Sequence, residues 1–352
     1  MSASRIVLVD PHITDEFFTP IRFFIKKRRG LNKYLYFTKI QRKTIVAFTF
    51  SRSGVIPPNI FSKLPKYIRM VVVLFEYIIW RLLQKNDMKL SSLKEGDIAV
   101  YPLRNINNLG SKFLRTRRCK VAWLMSHFHI SIASANYIAD DDIILADNYT
   151  VSLDKLCNRV VLCPPCITSR FVNKKNTDER KKKIIATGTI HLYKNEFPGS
   201  VKYKDQYTMH PSRADVFFSN SAVFDKNFSI VTDNDSLYSV QKTYMAQDIV
   251  EIYNRYKYAF IGSEVSGVFA LGLVEAMACG CEVFVEDSIA SSLGLQDGIH
   301  AWLFDGTAKG VEQKYNDIIE HSLSLDKIAV QSFSDKFRLE SLTEEVKGQL
   351  LK

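Results

Sequence analysis

The stretch from Tyr258 to Val285 constrains the fold more than any other part of the chain. Tyr258-Ala259-Phe260-Ile261 is a short apolar run of strand length, and Ser263-Glu264-Val265-Ser266-Gly267 reads as a turn. Val268 to Cys279 has helical spacing, with Phe269, Leu273, Ala276 and Met277 on one face. Gly280 closes the helix, and Cys281-Glu282-Val283-Phe284-Val285 opens a second strand. Strand, helix, strand at this spacing is the crossover of a parallel sheet. A helix that opens at a Ser-Gly turn presents backbone N–H groups and a positive dipole end, a ready site for a phosphate. Ser266, Gly267, Val268 and Phe269 are therefore candidate phosphate donors, and Glu275, about two turns further in, is placed to meet a sugar hydroxyl. The plainer reading of the same pattern is a strand–helix–strand unit of any α/β protein.

The rest of the chain extends that pattern. Strand candidates at Ile6 to Val9, Thr44 to Phe50, Asp97 to Tyr101, Val121 to Met125, Ile143 to Ala146 and Arg159 to Leu162 are short, apolar and β-branched, as buried parallel strands are. Helix candidates at about 66–85, 131–139 and 151–157 alternate with them, which predicts a doubly wound domain over 1–165. The loop Asp10-Pro11-His12-Ile13-Thr14 lacks a glycine-rich dinucleotide fingerprint, so this first domain is not expected to hold the nucleotide. Cys163-Pro164-Pro165-Cys166 halts the last strand, and Lys174 to Lys183 reads as solvated linker. The prolines explain the halt without any metal or redox role for the two cysteines, since no second Cys-x-x-Cys is present. A second α/β domain is expected over 166–334, from a strand at Lys183 to Gly188, a strand at Phe228 to Val231 and helices at Met245 to Arg255 and Lys309 to Leu325. The tail, 335–352, has a helical pattern.

Glu275-Ala276-Met277-Ala278-Cys279-Gly280 resembles the second half of the donor-site motif of retaining, family-4-like glycosyltransferases with the GT-B fold. The resemblance implies two Rossmann-like, doubly wound α/β domains facing a cleft, with a nucleotide-sugar held by the second domain and a last helix that crosses back to the first. It implies that Glu275 binds the donor's ribose. The family's first motif Glu falls at Gly267, with Glu264 three residues earlier as a substitute. Related enzymes carry Gly-Arg at the end of the second domain's first strand, with a Lys five residues beyond the Arg. Gly188, Thr189 and Lys194 stand at those places, so Lys194 is carried over and the Arg is missing. Arg213, in the loop Tyr207-Thr208-Met209-His210-Pro211-Ser212-Arg213, could replace it, since a guanidinium suits phosphate geometry. His210 is a further donor or acceptor contact, or a structural loop histidine. The family has a His near the reacting sugar after the strand that here is Val121 to Met125. His127 is the match and His129 the reserve. Asp147-Asn148-Tyr149-Thr150 reads as a helix cap. No His/Cys/Asp cluster at ligand spacing is visible, so no metal and no cofactor is expected, the nucleotide-sugar being a substrate.

The net charge of +11 is uneven. Residues 17–75 contain 13 Lys and Arg and no Asp or Glu, so the rest of the chain is close to neutral. Aromatic residues, Phe23 and Phe24 among them, are interleaved with Arg22, Lys26, Lys27, Arg28 and Arg29. That mixture suits an anionic membrane or lipid-linked acceptor, a solvated basic face, or nucleic acid. The membrane is the expected partner, and nucleic-acid binding is kept as the alternative. Residues 67–83 form an amphipathic helix, with Lys66, Arg69, Glu76 and Arg81 on one arc, too interrupted to span a bilayer. Such a helix more often packs its apolar face on a sheet than lies in a membrane interface. The start reads as a strand and the six cysteines as free thiols, which predicts a cytoplasmic setting. The expectation is a peripheral enzyme on the inner face of a membrane, adding sugar to a glycan or glycolipid in surface-polysaccharide or lipopolysaccharide synthesis. A GT-B scaffold that binds without catalysis is the other alternative.

Overall fold

The computed structural model describes residues 5–9, 43–45, 60, 63–83, 93–102, 118–125, 138–146, 159–164, 166–167, 169–175, 179–197, 199–232, 249–264 and 270–352. Two parallel sheets organise them. The first holds β1 (Ile6–Val9), β2 (Lys43–Ile45), β3 (Ile98–Pro102), β4 (Lys120–Met125), β5 (Ile143–Ala146) and β6 (Arg159–Leu162) in the order β2-β1-β3-β4-β5-β6. All four residues of β5 are buried, which accounts for its unbroken apolar sequence. Polar groups lock the amino edge of this sheet. Arg5 donates to Asp97 at 2.6 Å, and the Trp123 indole donates to Asp142 at 2.7 Å.

The second sheet holds β7 (Lys181–Leu192), β10 (Phe224–Thr232), β11 (Tyr256–Phe260), β12 (Glu282–Glu286) and β13 (Trp302–Phe304). Its order is β10-β7-β11-β12-β13, every pair parallel. A hairpin of β8 (Val201–Tyr203) and β9 (Gln206–Thr208) follows β7 and is tied to it by backbone bonds between Tyr193 and Tyr207. The helices here are α2 (Pro211–Phe218), α3 (Ile249–Arg255), α4 (Gly272–Ala278), α5 (Asp287–Leu293), α6 (Ala308–Glu320), α7 (Lys327–Asp335) and α8 (Leu339–Leu351). In the first half, α1 (Lys66–Leu83) precedes β3. Tyr253, Tyr258, Phe260 and Phe284 are fully buried and anchor the core of the second sheet.

Several expectations are corrected. The strand expected at Lys183 to Gly188 runs from Lys181 to Leu192, because β10 pairs with it along its whole C-terminal half, up to Thr232 against Leu192. The linker expected over Lys174 to Lys183 is not solvated throughout. Arg180 is buried and bonded to Cys279 O and Asn173 Oδ1 at 2.7 and 2.6 Å. The helix expected from Val268 begins at Gly272, where a Cβ would lie 2.9 Å from the Tyr253 hydroxyl. The tail holds α8, but α7 ends first, at Asp335, and Arg338 between them bridges to Ile167. The helix expected over Lys309 to Leu325 ends at Glu320. Helix α8 packs on β6, and the Arg159 guanidinium donates to Gln349 O. The expected helices at 131–139 and 151–157 lie largely or wholly outside the described residues.

Candidate functional site

In an open parallel sheet, ligands bind beyond the carboxyl ends of the strands, where the strand order reverses. In the second sheet the chain starts at β7 and adds β10 on one side and β11 on the other, so the switch point lies between β7 and β11. Pairing of β7 with β11 stops at Ala186 against Phe260, while pairing with β10 continues to Leu192. From Thr187 onward a crevice therefore opens between the two strands.

Arg213 fills the floor of that crevice. Its Nε donates to Gly262 O at 2.7 Å and one Nη donates to Thr189 O at 2.8 Å, so a single side chain ties the two diverging strands. Two glycines make room for it. A Cβ on Gly262 would sit 2.6 Å from Ser212 Oγ and 2.7 Å from Arg213 Cγ. Gly188 has φ +132°, and a Cβ there would meet the guanidinium at 3.2 Å. The local sequence places Arg213 by way of Pro211, which takes the first turn of α2 with its fixed φ and no lost N–H.

A polar cluster surrounds this arginine. Ser212 Oγ and the Ser263 N–H both donate to Glu286 Oε1, at 2.5 and 2.9 Å, so the last residue of β12 holds the start of α2 and the loop after β11 together. His210 is 2% exposed, stacks on His191 at 5.3 Å between centroids, and has its Nε2 3.6 Å from Glu264 Oε1. Burial, followed by the charge of Arg213, pushes the His210 imidazole down to about 3, so the ring is neutral at ordinary pH despite the nearby carboxylate. Its contact with Glu264 is accordingly that of a neutral imidazole with a carboxylate. Glu275 is buried in the first turn of α4, nearer the helix start than its sequence position suggested. Lys194 is exposed, two residues past β7.

The described residues thus bring Gly188, Thr189, His210, Arg213 and Glu264 to one crevice, with Glu275 in the helix that follows β11 and Lys194 beyond its mouth. His127, Ser266, Gly267, Val268 and Phe269, and the basic residues Arg22, Lys26, Lys27, Arg28 and Arg29, lie outside the described residues. Sequence reasoning missed His191, Ser212 and Glu286. Only Glu286 carried a signal, as an acid closing a buried apolar strand. Among the described residues, no group of three or more His, Cys, Asp or Glu is placed to hold a metal ion. Cys163, Cys166, Cys279 and Cys281 are buried free thiols, and desolvation pushes Cys279 up to about 12.

No family model matches the chain, and neither does any curated protein. Solved structures match over its full length. The Anabaena protein Alr3699/HepE in complex with UDP and glucose aligns at 12% identity and a TM-score of 0.52, covering 99% of both chains. The same protein with UDP-glucose aligns at 11% and 0.52, covering 98% of this chain and 99% of that one. The apo form of WaaB, a lipopolysaccharide outer core galactosyltransferase, aligns at 11% and 0.50, with 98% and 99% covered. The fold is GT-B: mixed α/β, with two Rossmann-like parallel sheets.

Proposed function

We propose that this chain is a glycosyltransferase that takes a sugar from a nucleotide-sugar, of which a UDP-sugar is the first choice, to a hydroxyl of a glycan or glycolipid. One observation carries the reading: a GT-B fold whose second sheet buries His210, Arg213, Ser212, Ser263 and Glu275 at or beside its switch point. Polar side chains so placed cost stability unless a ligand or neighbour uses them, and they stand where such sheets bind nucleotides. Similarity to HepE, solved with UDP-glucose, supports the donor class.

In this reading Glu275 holds the ribose hydroxyls. Lys194 and Arg213 offset the charge that builds on the leaving diphosphate, and the backbone N–H groups of Ser266 to Phe269 add donors to it. His210, neutral, offers a hydrogen bond to the sugar, and Glu264 orients it. His127, in the sequence of the first domain, contacts the sugar. Transfer with retention, an acceptor that is lipid-linked, a role in surface-polysaccharide or lipopolysaccharide assembly, and a place on the inner membrane face complete the proposal. The chain's basic region and the family-4-like motif at Glu275 support these.

Thermal unfolding against UDP, GDP, ADP, dTDP and CMP, with and without their sugars, tests the reading. A ligand at 100 times its Kd adds about 2.7 kcal/mol. The expected result is one clear hit, abolished by Glu275→Ala without loss of fold. No shift with any nucleotide sinks the transferase. A shift without turnover of any donor, in the presence of glycan acceptors, favours the scaffold that binds and does not catalyse.

A further inference from the structure

Helix α1 turns its apolar side outward. Tyr67, Met70, Val71, Leu74, Phe75 and Ile78 are all exposed, from 43% at Met70 to 68% at Tyr67. Spacings of three and four residues put them on one stripe of the helix. Ile68, Arg69 and Val72, on the other side, are half-buried. The apolar face expected to pack on a sheet is thus exposed instead. Six large apolar side chains in one exposed stripe mark a surface that is covered in use. Exposed Lys63 and Lys66 stand at its N-terminal end, and the first turn of the helix holds no acid. The whole of 17–75 contains 13 Lys and Arg and no Asp or Glu.

We propose that the Tyr67–Ile78 face of α1 lies in the interfacial layer of an anionic membrane, with Lys63 and Lys66 at the headgroups. The proposal rests on the reading of the chain as an enzyme of membrane-linked glycans, and it assigns the surface that meets the membrane. An apolar stripe with lysines at its end is how an interfacial helix combines burial of side chains with attraction to acidic lipid. Among the described residues no helix is long and apolar enough to cross a membrane, so α1 lies on the bilayer. The lack of acid in 17–75 favours acidic lipid over a protein partner with a mixed-charge rim.

Flotation of the full chain with phosphatidylcholine vesicles, with and without about one-third phosphatidylglycerol, tests it. The wild type is expected to float with the anionic vesicles and not with the neutral ones. Leu74→Glu/Phe75→Glu is expected to weaken that partition about tenfold or more. Its melting temperature and its stabilisation by nucleotide should stay as in the wild type, since both residues are already in water. Three results overturn the proposal: no flotation of the wild type, equal flotation with neutral vesicles, or flotation undiminished in the double variant. A wild-type dimer that the double variant converts to a monomer, with no vesicle binding, assigns the face to a second copy and overturns it too. Flotation is measured without donor and nucleotide stabilisation without vesicles, so a failure of this assignment is distinguishable from a failure of the enzymatic reading.

Discussion

The second sheet buries an arginine at each of its edges, and the two do different things. At the amino edge, Arg180 points its guanidinium at the ends of two helices. It donates to Cys279 O at the close of α4, to Tyr253 O near the close of α3 and to Tyr256 O at the start of β11, and it also meets Asn173, Asn254, Lys175 O and the Cys281 thiol. A cation there meets the negative ends of two helix dipoles and satisfies carbonyls that helices leave unbonded. At the carboxyl edge, Arg213 bonds to carbonyls of two strands that diverge, among His210, Glu264 and Glu286. The lesson is that burial of an arginine does not by itself mark a site. Arg180 is surrounded by backbone carbonyls, amides and the Cys281 thiol, and Arg213 stands beside the His210 imidazole at a switch point.

The sharpest way to break this contrast is to remove each in turn. Arg180→Ala should lose about 4 kcal/mol, because several buried carbonyls lose a charged donor at once. Its nucleotide Kd, measured on the protein that remains folded, should be unchanged. Arg213→Ala should lose about 3 kcal/mol, with two carbonyls stranded, and should also abolish stabilisation by nucleotide. Arg213→Lys should not restore it, since one ammonium cannot span Thr189 O and Gly262 O as a planar fork does. Urea unfolding with and without UDP measures both quantities. If Arg180→Ala weakens nucleotide binding as much as Arg213→Ala does, the two edges are not separable.

Gly262→Ala sharpens the contrast at the carboxyl edge alone. The added methyl would sit 2.6 Å from Ser212 Oγ and 2.7 Å from Arg213 Cγ, both part of the packed junction. About 2 kcal/mol of stability should go, with nucleotide binding reduced in step as Arg213 is displaced. Gly306→Ala is the matched control: its φ is +89° but nothing lies within 4 Å of the added methyl, so strain alone is tested there.

The two edges also differ in how far the sequence revealed them. The parallel architecture was legible because β5, β6, β11 and β12 are short apolar runs bounded by turns, and strand and helix periods differ enough to be told apart. The closure of α4 near Gly280 was legible for the same local reason. Arg180 was not. It sits in a run of charged residues, and nothing local says that one of them turns inward toward helix ends more than 70 residues away. The length of β7 was hidden because Gly188 reads as a turn, whereas pairing with β10 carries the strand through it. His191, Ser212 and Glu286 join the site only through the strand order, which brings residues 74 positions apart into a hydrogen bond. The exposed face of α1 was misread because periodicity finds an apolar stripe without saying what it faces.

The smallest predicted effect concerns the ionisation of His210 and bears on what kind of edge the carboxyl one is. The folded imidazole is pushed down to about 3 by burial, with the charge of Arg213 adding to it and Glu264 opposing. In the unfolded chain the same ring protonates near 6.5. Between those values the unfolded state binds more protons than the folded one, so stability falls as pH drops below about 6.5 and stops falling from this source only near pH 3. Replacing the ring with a side chain that does not titrate removes that slope. His210→Gln should therefore lose less stability than the wild type between pH 6.5 and 5, by about 1.5 kcal/mol, in urea unfolding across that range. If the two acid limbs run parallel, His210 takes its proton in the folded protein and pairs with Glu264, 3.6 Å away, as an ion pair. The crevice would then hold two buried cations, His210 and Arg213, at the place where a diphosphate is proposed to bind. That outcome would make the carboxyl edge more cationic than proposed here, and would widen its difference from the amino edge.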